Sequence, residues 1–135
     1  MNELREMVSS HPDMRGSGMQ ELIACVEECG RCALACLACA DACLSEEGVE
    51  SLVQCIRLDL DCADLCFAAA SVGLRRSEGN VPVLVAAISA CALACERCAD
   101  ECERHAAHHD HCRLCAESCR RCLAACEAVL DELAA

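Results

Sequence analysis

The sequence has no tryptophan and no tyrosine, and Phe67 is its only aromatic side chain. A core without aromatics lacks the side chains that bury the most area apiece. A chain of 135 residues is one domain with room for a real interior, so something else must fill it. Basic residues are also scarce: 11 Lys and Arg face 23 Asp and Glu, a net charge of −12. Nucleic acid, whose phosphates need a basic footprint, is excluded as a partner. No apolar run approaches the ~18 residues of a membrane span, so no membrane partner is expected. The stretch Met1-Asn-Glu-Leu-Arg-Glu-Met7 has neither the basic nor the apolar segment of a signal peptide. A cytoplasmic location is expected.

What the chain has instead is cysteine, 18 in all. Cys25, Cys29, Cys32, Cys36, Cys39 and Cys43 alternate spacings of four and three, which places six thiols on one face of an α-helix. Glu27, Glu28, Arg31 and Asp41 lie on the other face. The pattern returns at Cys91, Cys95, Cys98 and Cys102, and again at Cys112, Cys115, Cys119, Cys122 and Cys126. A shorter stripe, Cys55, Cys62 and Cys66, lies between, and Asp59 sits in its register where a thiol belongs. Thiols thus occupy the positions where a helical bundle normally puts Leu and Ile. Disulfides within a helix are disfavoured, because β-carbons at i and i+4 are roughly 5–6 Å apart and a disulfide needs roughly 3.5–4.5 Å. Reduced thiols are the expectation.

In chain order, residues 2–10 suit a short amphipathic helix with Leu4, Met7 and Val8 on one side, broken at His11-Pro12-Asp13. Ser17 to Gln20 resembles a capping box for a long helix reaching about Ser45. Gly48 suits a stop and Ser51 the next cap, for a helix to about Arg76. Asn80 can cap, and Pro82 falls in the first turn of a third helix to about His105. Asp110 can cap a fourth, ending near Leu133. The fold expected is all-α: an antiparallel, up-down-up-down four-helix bundle over 17–135, with 1–16 as an N-terminal arm. Its directions place Cys43, Cys55, Cys102 and Cys112 at one end, the mouth. Leu22, Ala69, Leu84, Ile88, Val129 and Leu133 plug the other. Extending the third stripe from Cys102 leads to His105 and then His109, and stepping back from Cys112 leads to His108. His111 and His11 carry less expectation of metal contact.

Soft thiolates select Cu(I), zinc or iron–sulfur clusters. Zinc favours closed sets of four ligands, typically presented from turns; no separate tetrads are visible along these stripes. Cluster motifs also come from loops, and the run Cys25-x3-Cys29-x2-Cys32 sits in mid-helix. Cu(I) accepts two or three thiolates, and a thiolate can bridge two ions. Each Cu⁺ also cancels one thiolate charge, which matters in a dry interior. Zinc, iron–sulfur and thiol-redox functions remain alternatives; redox catalysis needs one distinctive cysteine with a lowered pKa, and none stands apart.

The four cysteine-striped helices resemble the cytosolic copper storage proteins, from about residue 17 to the end of the chain. The resemblance implies a non-enzymatic store of many Cu(I) ions, ligated by all eighteen cysteines, with mouth histidines His105 and His109 as further metal contacts. It also implies a homotetramer. Exported relatives carry methionines at the mouth. Here Met1, Met7, Met14 and Met19 lie elsewhere, which favours the cytosolic branch. Asp59 is too hard to be a preferred Cu(I) ligand, so it is expected to be a helper, as is His108. Asp59 would accept hydrogen bonds from neighbouring thiols or a mouth histidine, and take protons that copper displaces.

Overall fold

The computed structural model describes residues 2–12, 19–75 and 80–134. A short helix, α1 (Asn2–Ser9), precedes four long ones: α2 (Met19–Leu44), α3 (Val53–Gly73), α4 (Val81–His105) and α5 (Asp110–Ala134). Helix α2 packs beside α3 and α5, and α4 beside the same two, so the four close into a ring. Among the described residues there is no strand. The thiol stripes face inward on all four helices, and every cysteine is buried. Between them Ala33, Ala40, Ala63, Ala99 and Ala116 are also buried. Small side chains flanking each stripe let the backbones approach, which brings the sulfurs into contact.

The ends have a different filling. Leu84, Ile88, Val129 and Ala69 are buried at the closed end, with Leu22 and Leu133 partly buried around them. Helix α1 lies across this end of α2 and α3. Leu4, Met7 and Val8 line an apolar cavity of about 350 Å³ shared with Leu22, Val26 and Leu74, and Arg5 pairs with the buried Glu27 at 2.5 Å.

Capping differs from the sequence expectation at two helices. A 3-10 turn, Val49–Leu52, leads into α3, entered through Gly48 at φ 74°, a conformation that glycine adopts without a Cβ penalty. Ser51 Oγ donates back to the Gly48 carbonyl (2.9 Å) rather than capping α3. Leu52 is fully buried against the thiol core. Asn80 likewise does not cap α4; its side-chain amide donates to the Arg75 carbonyl (2.7 Å), just past the end of α3. Asn offers donors as well as an acceptor, and the free carbonyls after α3 claim them. Ser17 and Gly18 of the expected capping box lie outside the described residues.

Among the described residues one helix, α4, is long and apolar enough to cross a membrane by length and composition, contrary to the sequence expectation that none would be. Its apolar length comes largely from the stripe itself, because cysteine and alanine count as hydrophobic. Leu84, Ile88, Cys91, Cys95, Cys98 and Cys102 face the other helices of the bundle.

Gly73 closes α3 where it meets α2: a Cβ there would lie 2.8 Å from Val26 Cγ2. Valine has little rotameric freedom to yield. Gly73→Ala is therefore expected to destabilise the metal-free chain by about 1–2 kcal/mol, despite alanine's better helix propensity. Urea denaturation measures this, and a variant as stable as the parent would mean the helices part easily here.

Candidate metal centre

All eighteen cysteines are free thiols in the core. Within a helix the stripe brings i and i+4 sulfurs together, as at Cys25–Cys29 (3.9 Å) and Cys62–Cys66 (3.9 Å). Packing adds contacts between helices: Cys25–Cys126 at 3.8 Å, Cys32–Cys119 at 3.7 Å, Cys66–Cys91 at 3.6 Å and Cys55–Cys102 at 3.5 Å. Diagonal contacts cross the bundle axis, Cys29–Cys91 at 3.7 Å and Cys36–Cys98 at 4.0 Å. From Cys25 to Cys55 the sulfurs form one connected column. Two metal–thiolate bonds of about 2.3 Å span up to about 4.6 Å. An ion could therefore join neighbouring sulfurs with little movement of the helices.

Four-sulfur groups recur along this column, the sulfurs of each within 4.8 Å of one another: Cys29/Cys91/Cys122/Cys126, Cys32/Cys66/Cys95/Cys122, Cys32/Cys36/Cys62/Cys119 and Cys36/Cys98/Cys115/Cys119. Successive groups share members. Cys122 joins the first two, Cys32 the second and third, and Cys36 with Cys119 the last two. Filling each tetrad as a separate closed site is impossible when one sulfur belongs to two of them.

At the mouth the fourth donor atom of the group is a nitrogen. Cys39, Cys43 and Cys112 group with His111. His111 Nδ1 lies 3.4 Å from Cys39 Sγ, 3.6 Å from Cys112 Sγ and 4.0 Å from Cys43 Sγ. Its other nitrogen, Nε2, is 2.8 Å from Glu46 Oε2. An anionic carboxylate there places the ring proton on Nε2 and leaves the Nδ1 lone pair facing the thiols, the arrangement that prepares a histidine for a metal. Burial pushes the Cys43 thiol up from its ordinary value and takes Cys112 to about 12, so both are neutral S–H groups in the metal-free chain.

The histidines singled out from the sequence are placed otherwise. His105 is the last residue of α4, and its Nε2 pairs with Glu101 Oε2 at 2.9 Å. The stripe cannot continue from it to His109, because the helix has ended and His109 lies in the connection. His109 Nδ1 pairs with Glu46 (2.9 Å), and its ring stacks on His111. His108 is exposed. The sequence signal for His111 is its place one turn before Cys115, so the fourth stripe extends backward to it as readily as to His108. Glu46 had no such signal, since the fold alone brings it beside α5.

Asp59 points inward and is fully buried. Its Oδ1 accepts from Cys98 (3.1 Å), Cys115 (3.3 Å) and Cys102 (3.6 Å). Thiols, not a mouth histidine, are its hydrogen-bonding neighbours among these contacts. Oδ2 is buried with no hydrogen-bond partner among the described residues. Removal from water pushes the carboxyl up to about 8. Asp59 is therefore largely protonated at neutral pH.

The family model described as copper storage protein matches residues 18–131. The copper storage protein Ccsp of Streptomyces lividans, in a structure loaded with 10 copper equivalents, is 47% identical with a TM-score of 0.92, over 96% of this chain and 98% of that one. A structure of a cytosolic copper storage protein from Streptomyces lividans carrying five coppers is 51% identical with a TM-score of 0.84, over 87% and 98%. The uncharacterized cysteine-rich protein YhjQ of Bacillus subtilis (strain 168) is 37% identical over 90 residues, 67% of this chain and 78% of that protein.

Because the Asp59 pKa is raised on folding, from 3.8 to about 8, the folded chain holds a proton that the unfolded chain gives up between those values. Its contribution to stability is complete below the unfolded pKa and is lost as pH rises through about 8. The metal-free protein should accordingly become less stable from pH 5 to about 8, and Asp59→Asn should flatten that dependence. Denaturation at several pH values reads both, and an unchanged slope in the variant would mean that Asp59 is ionised throughout.

Proposed function

The chain belongs to the copper storage protein family, and on that premise we propose that it stores many Cu(I) ions in the cytosol on the thiolates lining its core. The observation that carries this reading is the sharing of sulfurs between successive four-sulfur groups. Bridging thiolates suit Cu(I), which needs only two or three of them per ion. Zinc would have to close separate tetrads, and four thiolates around one divalent ion would leave negative charge in a dry interior. Cu(I) replaces one S–H proton with one positive charge, so a core loaded at about one ion per thiol stays near neutral. Iron–sulfur clusters and thiol-redox chemistry fit less well, since the sulfurs come from helix interiors and none is exposed.

All eighteen cysteines are the proposed ligands, with His111 completing the outermost group. His105 and His109 act at the mouth without belonging to the store, and His108 has at most a role in traffic there. Asp59 is the helper within the column: its Oδ1 orients three thiols, and its acidity near neutrality lets it exchange the protons that copper displaces. Residues 17–135 form the storage bundle, with 1–16 as its arm. The store works by binding and release, without turnover. Assembly as a homotetramer belongs to the same proposal. Exposed apolar side chains on α2 (Leu34, Leu37, Leu44) and α3 (Leu60, Phe67) support it, as such residues suit subunit contacts.

Anaerobic titration of the reduced protein with Cu(I), against a competing chelator, should saturate on the order of one ion per cysteine. Saturation at only about four or five ions would indicate isolated tetrads and end the storage reading. His111→Ala and Asp59→Asn should each slow loading severalfold while leaving the final count nearly intact. A large loss of capacity in either would place that residue among the essential ligands of the store.

A further inference from the structure

Two side chains with no part in the thiol column, Glu46 and His109, converge on the outer side of His111 at the mouth. Glu46 Oε2 is 2.8 Å from His111 Nε2 and 2.9 Å from His109 Nδ1, and the two rings stack with centroids 5.4 Å apart and planes at 24°. Glu46 follows α2, His109 lies in the α4–α5 connection and His111 is in the first turn of α5. Closure of the bundle therefore assembles the set from segments far apart in sequence.

We propose that Glu46, His109 and His111 form a second metal site, of two imidazole nitrogens and one carboxylate oxygen, that takes a divalent first-row cation such as zinc. The spacing fits. Two ligands held at about 2.0–2.1 Å from a tetrahedral ion are about 3.3–3.4 Å apart, so rotating the rings by a few tenths of an ångström from their present 2.8 and 2.9 Å contacts would admit one. An ion in place of the two ring protons would keep the same partners. The donor class also fits, since imidazole and carboxylate match zinc and not the soft Cu(I) ion. Side-chain exposures of 21% for His109, 24% for His111 and 33% for Glu46 leave the site open to water, which can complete the coordination.

His111 makes this site a competitor. A neutral imidazole has one lone pair. With a cation on Nε2 the ring carries its proton on Nδ1, facing Cys39, Cys43 and Cys112; with Cu(I) on Nδ1 the proton returns to Nε2, facing Glu46. The outer cation and the outermost copper therefore exclude each other at His111. That consequence rests on the storage reading; the existence of the site does not.

Co(II), added anaerobically to the reduced, metal-free protein, is a spectroscopic substitute for zinc. The first equivalent should give the weak d–d bands of nitrogen and oxygen ligation, without an intense thiolate-to-cobalt charge-transfer band. Glu46→Gln and His109→Ala should each weaken binding by more than about tenfold, since even losing a group that only supports a ligand costs that much. One equivalent of Zn(II) should slow Cu(I) uptake severalfold in the parent and not in Glu46→Gln. A charge-transfer band from the first equivalent, or unchanged affinity in both variants, would overturn the site. Equal Cu(I) uptake rates with and without Zn(II) in the parent would overturn the competition. Copper capacity measured on the same preparations reports the storage reading separately.

Discussion

Contact between thiols across the bundle axis is the interaction on which the rest of the structure depends. Protonated cysteine packs as a small hydrophobe, so the metal-free chain can close a core from the same groups proposed as its ligands. Sulfurs 3.5–4.0 Å apart are in van der Waals contact, as in any close-packed interior. The flanking alanines on α2, α3, α4 and α5 permit this distance; a leucine in place of Ala33 or Ala99 would hold the stripes apart. Capacity and folding thus draw on one set of side chains, and the protein needs no separate scaffold around its ligands.

The core also has direction. At the closed end Leu84, Ile88 and Val129 take over from the stripes, and α1 lies across the outside. At the other end stand a nitrogen donor facing the thiols, buried thiols with raised pKa values and two histidines sharing one carboxylate oxygen. Exchange with solvent is favoured where ligands are neutral, partly exposed and only partly sulfur. Deep in the column the ligands are sulfur alone and inaccessible. Ions would therefore be taken up and released at the mouth and retained in the interior, a consequence of where the stripes stop.

Asp59 breaks the uniformity of the column. A buried carboxylate is costly unless paired with cations or supplied with donors. Here three thiols supply donors to one oxygen while burial raises the pKa to about 8. The group is largely protonated at neutral pH and ionises just above it. No leucine or cysteine at that position would hold a titratable proton there.

The helical periods of the cysteines determined a great deal unaided. Spacings of three and four put each stripe on one helix face, so four inward stripes, an antiparallel bundle, an aliphatic plug and the register of Asp59 within a stripe were legible in the sequence. What the sequence did not determine lies where periodicity ends. His105 fell on the extended stripe, yet its ring is held by Glu101; His111 reached the thiols because α5 begins at Asp110 and turns that residue inward. Ser51 and Asn80 bonded to carbonyls behind them, since a side chain at a helix boundary can satisfy either neighbour. Glu46 joined His109 and His111 only through closure of the ring of helices. Within a helix the backbone dictates which side chains share a face; between helices, packing decides which partners meet.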